Sequence, residues 1–184
     1  MAKATGEWHD YMAEVYIGLG SNMGDRENYL RRAVAELASR PGVRLLTCSS
    51  IYETSPVSPV EQGNYLNMVA RIACDLVPLE LLTVCEEIEE LLGRKETPYV
   101  PLGPRPIDLD ILLWEDLIYQ SPELTIPHPY LTVRRFVLIP LLEIDENLRL
   151  PGGDLLKSYL SELSLDDKVE FYANYDWVSI AHAP

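Results

Sequence analysis

The stretch Gly103-Pro104-Arg105-Pro106-Ile107-Asp108-Leu109-Asp110-Ile111-Leu112-Leu113 places two carboxylates at alternate positions of an otherwise apolar segment. Alternate residues of a strand share a face, so Asp108 and Asp110 lie side by side with their Cα atoms about 6.6 Å apart. Ile107, Leu109 and Ile111 then point the other way, into a core. Two like charges this close repel each other unless a cation lies between them, and carboxylate oxygens are ligands that Mg²⁺ prefers. The alternative is a half-buried strand with a solvated acidic face.

Three strands and two helices precede this segment. Periodicity and turn residues predict these elements. The strands lie over 15–20, 43–53 and 65–74, one helix follows Asp25 and ends near Pro41, and the other runs from Pro78 to Gly93. The order βαββαβ is that of the α+β, ferredoxin-like fold, whose two helices cover one face of an antiparallel sheet and leave the other face for a site. We expect the first and third strands at the centre, with the aspartate strand beside the first. The segment 126–142 can be helix or strand.

Strand alternation also indicates which side chains share the open face. In the third strand, every second residue is apolar and points toward the helices: Leu66, Met68, Ala70, Ile72 and Cys74. Tyr65 and Asn67 alternate with them and point to the same face as Asp108 and Asp110. With Thr54, these two form a neutral polar and aromatic group suited to a flat heterocycle. The alternative is that Tyr65 and Asn67 are ordinary strand residues. The turn Gly18-Leu19-Gly20-Ser21-Asn22 resembles phosphate loops only weakly, because it lacks the established glycine-rich patterns.

Several cations are grouped near the paired aspartates. Arg105 precedes the strand closely enough to bind phosphate, or to form a salt bridge with an aspartate. Arg94 follows Gly93 and either reaches a phosphate or complements the helix dipole. His128, held between two prolines, and Arg134 follow the strand, and a lone histidine is often structural. Glu86 and Glu89 belong to the polar side of the second helix and suit a solvated face.

The composition limits the kind of partner. The 184 residues suffice for one domain with its own core, and a formal charge of −14 argues against nucleic acid and anionic membranes. Three cysteines without a CxxC spacing are typical of a reducing compartment. Neither a signal pattern nor an apolar run approaching the ~20 residues of a membrane span occurs. We expect a cytoplasmic monomer or weak homo-oligomer with small-molecule substrates.

Six segments in order resemble hydroxymethyldihydropterin pyrophosphokinases of folate biosynthesis. They are GLGSNMGD at 18–25, YETSPV at 52–57, YLN at 65–67, EEIEELLGR at 86–94, GPRPIDLDILL at 103–113, and PHP with RRFVLIPL at 127–141. The resemblance implies an enzyme that transfers the β,γ-diphosphate of ATP to the 6-hydroxymethyl group of 6-hydroxymethyl-7,8-dihydropterin and releases AMP. It also implies a tail over 1–13, a catalytic domain over 14–152 and an extension over 153–184.

The resemblance further implies roles for individual residues. It suggests that Asp108 and Asp110 bind two Mg²⁺ ions that accompany ATP and, with Arg94 and Arg105, form the catalytic group. It assigns a pterin pocket to Thr54, Ser55, Val57, Tyr65, Asn67 and Phe136. It assigns ATP contacts to Glu86, Glu89, Arg94, Arg105, Ile111, His128 and Arg134. The loop 95–102, KETPYVPL, departs from the family pattern by having Lys95 as its only cation.

Two other functions agree with the same residues. A nucleotidyltransferase or cyclase also places paired aspartates on a ferredoxin-like sheet, but it releases pyrophosphate instead of AMP. A pterin- or nucleotide-binding module would keep the pocket without turnover. The intact aspartate pair argues against the binding module, because charges that serve no cation are unfavourable on a partly buried face.

Overall fold

The computed structural model describes residues 12–57, 60–94, 103–164 and 168–176. The predicted N-terminal tail, apart from its last two residues, and the atypical loop 95–102 lie outside the described residues. The elements are β1 Ala13–Ser21, α1 Arg26–Ser39, β2 Val43–Cys48, β3 Ile51–Thr54, β4 Tyr65–Cys74, α2 Pro78–Leu91, β5 Asp108–Trp114, β6 Tyr119–Gln120, β7 Thr125–Ile126, α3 Arg135–Ile144, α4 Leu156–Glu162 and β8 Val169–Ala173. None of the helices in these ranges is long and apolar enough to cross a membrane.

The main sheet has six antiparallel strands in the order β5-β1-β4-β3-β8, with β2 also paired to β4. The predicted α+β, ferredoxin-like fold is confirmed, with β1 and β4 central and β5 beside β1. The single strand predicted over 43–53 was wrong, because Ser49 and Ser50 interrupt it. There the Ser49 hydroxyl accepts the Val69 N–H at 2.9 Å, in place of a continued strand ladder.

The main core lies between the sheet and the two helices of the βαββαβ unit. Alternate residues of β4 and β5 point into it, and Leu30 of α1 and Ile88 of α2 are fully buried against them. Burying an aliphatic side chain of this size stabilises the fold by about 1.5–3 kcal/mol. The Asp25 carboxylate accepts the Asn28 N–H and begins α1, and the Glu80 carboxylate accepts the Val77 N–H at the start of α2.

The opposite face of the sheet is only partly open. A second apolar cluster packs Tyr16, Val69, Leu112 and Leu113 against α3 and α4. A register shift between β1 and β5 turns both Leu112 and Leu113 toward this cluster, because a bulge interrupts the alternation. The undecided segment 126–142 contributes the end of β7 and most of α3. The helices α3 and α4 therefore cover part of the face that the fold was expected to leave free, and a cleft occupies the rest.

The C-terminal residues complete the far edge of the sheet. Strand β8 pairs with β3 from Ile51 to Thr54, and the Ser55 N–H donates to the Lys168 carbonyl at 3.3 Å. Tyr175 is 7% exposed and packs in the main core. The sequence predicted no element in 153–184, whereas the structure builds α4 and β8 there.

Candidate active site

One row of paired residues crosses three strands on the open face. The β1–β5 register pairs Gly20 with Asp108, and the β1–β4 register pairs Gly20 with Asn67. Adjacent strands lie about 4.8 Å apart, so Asp108 and Asn67 are about 10 Å apart across the sheet. A Cβ atom on Gly20 would lie 2.7 Å from the Asn67 Oδ1 atom. The glycine therefore leaves the space in which the Asn67 side chain lies.

This row forms the floor of a cleft of about 830 Å³, part of which is open to solvent. Ten of the residues predicted for the site line it: Thr54, Ser55, Val57, Tyr65, Asn67, Arg105, Asp108, Asp110, Arg134 and Phe136. Strand β4 and the loop after β3 form one end of the cleft and β5 forms the other, and residues next to and in the start of α3 also line it.

Asp108 is bound by two arginines. Its Oδ1 atom accepts a hydrogen bond from Arg94 Nη1 at 2.9 Å, and its Oδ2 atom accepts one from Arg105 Nη1 at 2.9 Å. The salt bridge considered for Arg105 thus exists in the structure. Both arginines place their positive charge beside the Asp108 carboxylate. An anionic group that enters the cleft can replace this carboxylate as their hydrogen-bond partner.

Asp110 differs from its neighbour, because no hydrogen bond or ion pair reaches its carboxylate from any described residue. Burial raises the pKa of Asp110, and the charge of Asp108 raises it further, against the lowering effect of Arg134. Among the described residues, an ionised carboxylate in this position has no counter-charge in contact with it. Two adjacent carboxylates are a fitting partial donor set for Mg²⁺, which commonly keeps waters and takes phosphate oxygens as its remaining ligands. Within the described ranges, no group of three or more His, Cys, Asp or Glu side chains is arranged so that it could hold a metal ion by itself.

A polar group closes the other end of the cleft. The Asn67 amide donates from Nδ2 to the Thr54 hydroxyl at 2.7 Å, in a buried position. The Tyr65 hydroxyl donates to Gln62 Oε1 at 3.2 Å, and burial raises the pKa of Tyr65, so its phenol stays protonated near neutral pH. Phe136 presents an aromatic ring to the same space. This end offers hydrogen bonds and a stacking surface without a strong acid or base.

Glu86, Glu89 and Arg94 lie outside this cleft and line a separate shallow depression with Glu90. Glu89 is not on a solvated helix face: its Oε1 atom accepts the Leu109 N–H at 2.7 Å, and its other oxygen is paired with Arg94. Burial raises the pKa of Glu89, and the hydrogen bond from Leu109 acts in the opposite direction. The contacts of Glu89 therefore tie α2 to the strand that carries the aspartates.

Ile111 and His128 are placed differently from the cleft residues. The Ile111 side chain is buried in the main core on the helix side, and the whole residue, in the edge strand of the sheet, is 3% exposed. The His128 N–H donates to the Leu112 carbonyl at 2.8 Å, which ties its loop to β5. Burial and the charge of Arg134 lower the pKa of His128. The lowered pKa favours the neutral form of the side chain.

Two residues near the cleft were missed by the sequence reasoning. Gln62 lines the cleft and accepts a hydrogen bond from Asn22 Nδ2 at 2.8 Å. Asn22 also accepts the Arg105 N–H at 2.8 Å, and its own N–H donates to the Arg105 carbonyl at 3.2 Å. The turn after β1, which only weakly resembles a phosphate loop, therefore holds the backbone of Arg105 in place. The strand-to-turn position of Asn22 was the available signal.

Comparisons with known proteins agree with this arrangement. The family model for 7,8-dihydro-6-hydroxymethylpterin-pyrophosphokinase (HPPK) matches residues 16–146, which include every residue that lines the cleft. A 2-amino-4-hydroxy-6-hydroxymethyldihydropteridine pyrophosphokinase of Bacillus subtilis is 50% identical over 129 residues, which are 70% of this chain and 76% of that protein. The enzyme of the same name from Aquifex aeolicus is 42% identical over 74% of this chain and 83% of its own length.

Longer proteins contain a similar region. The folic acid synthesis protein fol1 of Schizosaccharomyces pombe is 43% identical over 88% of this chain, and the match spans 22% of fol1. The crystal structure of HPPK-DHPS A437G from Plasmodium falciparum has a TM-score of 0.64 at 15% identity. That match covers 82% of this chain and 45% of the other chain, and at this identity it supports the fold alone.

Proposed function

The chain belongs to the 7,8-dihydro-6-hydroxymethylpterin-pyrophosphokinase family, and from that premise we propose that its cleft holds a reduced pterin beside the triphosphate of ATP. The family reaction is a step of folate biosynthesis. It transfers the β,γ-diphosphate of ATP to the 6-hydroxymethyl group of 6-hydroxymethyl-7,8-dihydropterin and releases AMP.

The chemistry needs positioning and charge neutralisation more than a protein nucleophile. The substrate hydroxyl oxygen attacks the β-phosphorus, the bond from that phosphorus to the α,β-bridging oxygen breaks, and the hydroxyl loses its proton. Transfers of this type are accelerated mainly by in-line placement of the reactants and by groups that stabilise negative charge. The cleft residues are suited to those two tasks.

One observation carries the proposal: a row of paired residues joins Asp108 through Gly20 to Asn67 in a single cleft. The spacing of about 10 Å separates a charged end from a neutral polar end. A reduced pterin fits the neutral end, where Asn67 and Thr54 can bind its polar edge and Phe136 can stack on its ring. Tyr65, Ser55 and Val57 complete that end.

The charged end suits the triphosphate. Arg105 and Arg134 line the cleft there, and Arg94 joins them through Asp108. Guanidinium groups can bind phosphate oxygens with two parallel hydrogen bonds, which fixes orientation as well as charge. We propose that Arg94 and Arg105 exchange Asp108 for phosphate when ATP binds.

The rest of the nucleotide would extend past the outer edge of β5. The Ile111 backbone and the His128 side chain lie on that side, and the depression lined by Glu86 and Glu89 is adjacent. Glu89 is already bonded to Leu109 and Arg94, and it would contribute there by holding these two residues in place.

Magnesium fits the aspartate pair, and we propose that Asp108 and Asp110 hold the two ions that accompany ATP. When bound, the metal supplies charge neutralisation for the phosphate oxygens. The raised pKa of Asp110 agrees with this role, because a carboxylate without a contacting cation among the described residues gains most from a bound one. The cytoplasmic location and the monomeric or weakly oligomeric state remain predictions from the sequence.

One assay tests the proposal against its rivals. The protein is incubated with ATP, Mg²⁺ and 6-hydroxymethyl-7,8-dihydropterin, and the nucleotide products are separated. Formation of AMP that depends on the pterin supports the proposal. Pyrophosphate release would instead indicate a nucleotidyltransferase, and unchanged ATP a binding module. The matched control is the 6-methyl pterin, which lacks the attacking hydroxyl and must give no AMP.

A further inference from the structure

Arg134 is held in the cleft by aromatic rings instead of carboxylates. Its guanidinium carbon lies 4.4 Å from the centre of the Tyr130 ring and 5.6 Å from the centre of the Phe136 ring. Both distances are within the ~6 Å limit for an attractive cation–π contact. Among the described residues, no salt bridge or side-chain hydrogen bond engages Arg134.

This arrangement differs from that of the other two arginines at the charged end. Arg94 and Arg105 direct N–H groups at Asp108, so those donors are engaged before any substrate arrives. A cation–π contact engages the charge of a guanidinium without pairing its N–H groups with a carboxylate. Arg134 can thus be held in place while its N–H groups stay available for an incoming anion.

The backbone on both sides fixes the position of Tyr130. Its N–H donates to His128 Nδ1 at 3.2 Å, and its carbonyl accepts the Val133 N–H at 3.3 Å. The next residue, Leu131, is 1% exposed in the second apolar cluster. The Arg134 carbonyl in turn accepts N–H groups from the first turn of α3. Both partners of the cation–π pair are therefore anchored by their main chains.

The Tyr130 ring itself contributes little to the core. Tyr130 is 54% exposed, and it is absent from both apolar clusters and from the lining of the cleft. Its described ring contacts are with the Arg134 guanidinium, at 4.4 Å, and with the His128 ring, whose centre lies 5.9 Å away. A role in orientation explains this placement, whereas a role in stability does not.

We propose that Tyr130 is a positioning residue that holds the Arg134 guanidinium toward the triphosphate end of the cleft. This inference rests on the proposed function of the cleft, because it takes the ATP phosphates as the ligand of Arg134. Tyr130 acts through Arg134 and does not contact the nucleotide. Its contribution is to restrict a flexible side chain to the orientation that binds phosphate, which reduces the conformational entropy lost on binding.

The test is a double-mutant cycle in the intact chain, with KM and kcat measured separately for ATP and for the pterin. Tyr130→Leu should raise KM for ATP about three- to tenfold, the range expected for loss of a partly exposed cation–π contact. The KM for the pterin and the melting temperature should not change. Tyr130→Phe keeps the ring and should restore the wild-type KM for ATP. Val133→Ala, at a residue also 54% exposed, is the matched control for trimming an exposed side chain of this loop.

The same substitution in an Arg134→Ala background separates positioning from direct contact. Tyr130→Leu should then have no further effect on KM for ATP, because the group it positions is absent. An equal effect in both backgrounds would mean that Tyr130 acts without Arg134, either directly or through His128, and would overturn the proposal. A normal KM in Tyr130→Leu, or in Arg134→Ala, would overturn it too. Failure of the proposed function would show differently, as a wild-type protein that forms no pterin-dependent AMP.

Discussion

The face of the sheet that α1 and α2 cover is filled by aliphatic side chains in contact with each other, whereas the opposite face combines an apolar cluster with a cleft that contains two carboxylates. Alternate residues of β4 and β5 supply both faces. Leu109 and Ile111 are buried toward the helices, while Asp108 and Asp110 point to the cleft. One strand can therefore contribute to stability with the side chains on one face and to chemistry with those on the other. If so, substitutions on the two faces should have separable effects.

The largest effect is expected at the cleft face, for Asp110→Asn. Turnover should fall by about 10³-fold or more, roughly 4 kcal/mol in activation free energy, because a metal-binding charge is lost. The free energy of unfolding without metal should rise by about 1 kcal/mol, because the raised pKa of Asp110 shows that its ionised form is unfavourable in the fold. AMP formation and thermal melting in the absence of Mg²⁺ measure the two effects. Asp116→Asn, at an exposed residue, is the control. An active Asp110→Asn protein would show that Asp110 is not a metal ligand.

The next effect is expected on the helix face, for Ile88→Ala. Ile88 is 0% exposed in the main core, so the substitution should lower the free energy of unfolding by about 3 kcal/mol through lost burial and a residual cavity. The KM values of the folded protein should not change. Urea unfolding measures the loss, and Leu91→Ala, at a residue of the same helix that is 55% exposed, is the matched control. A shift in KM without a loss of stability would contradict the separation of the two faces.

The smallest effect is expected in the floor of the cleft, for Gly20→Ala. The new Cβ atom would lie 2.7 Å from the Asn67 Oδ1 atom and must displace that amide from its bond to Thr54. We expect KM for the pterin to rise about tenfold, equivalent to about 1.4 kcal/mol, with a nearly unchanged KM for ATP. Steady-state kinetics with each substrate varied in turn distinguishes the two. At Gly152 an added Cβ atom meets nothing within 4 Å, so Gly152→Ala is the control. An unchanged pterin KM would show that Asn67 does not bind the pterin.

The parts of the fold with regular periodicity could be predicted from the sequence. The two-residue period of 65–74 assigned Leu66 and Asn67 to opposite faces, and the structure confirms both assignments. The break at Ser49 and Ser50 could not be predicted, because neither proline nor glycine marks it and the hydrogen bond that stabilises it comes from Val69, on another strand. Strand β8 was missed for a similar reason, since its partner β3 is more than one hundred residues away along the chain.

The candidate site also contains residues that could be placed from the sequence and others that could not. The two aspartates, Tyr65 and Asn67 could be placed on one face because strand geometry requires it. Glu89 could not be placed, because its burial depends on how α2 lies against β5. The roles of these residues in binding and catalysis stay predictions until the assays are done.

From the sequence alone we could predict the βαββαβ order, the faces of the central strands and, through six ordered segments, the family of the enzyme. These features depend on short-range periodicity and on residue identity, both of which can be read along the chain. The pairing of charges is visible only in the folded chain: Asp108 lies between two arginines, Asp110 has no such partner among the described residues, and the Arg134 guanidinium lies over the Tyr130 ring. The physical reason is that electrostatic contacts and burial depend on distances between segments far apart in sequence. The paired aspartates were visible in the sequence, but the difference between them appeared only when the chain was folded.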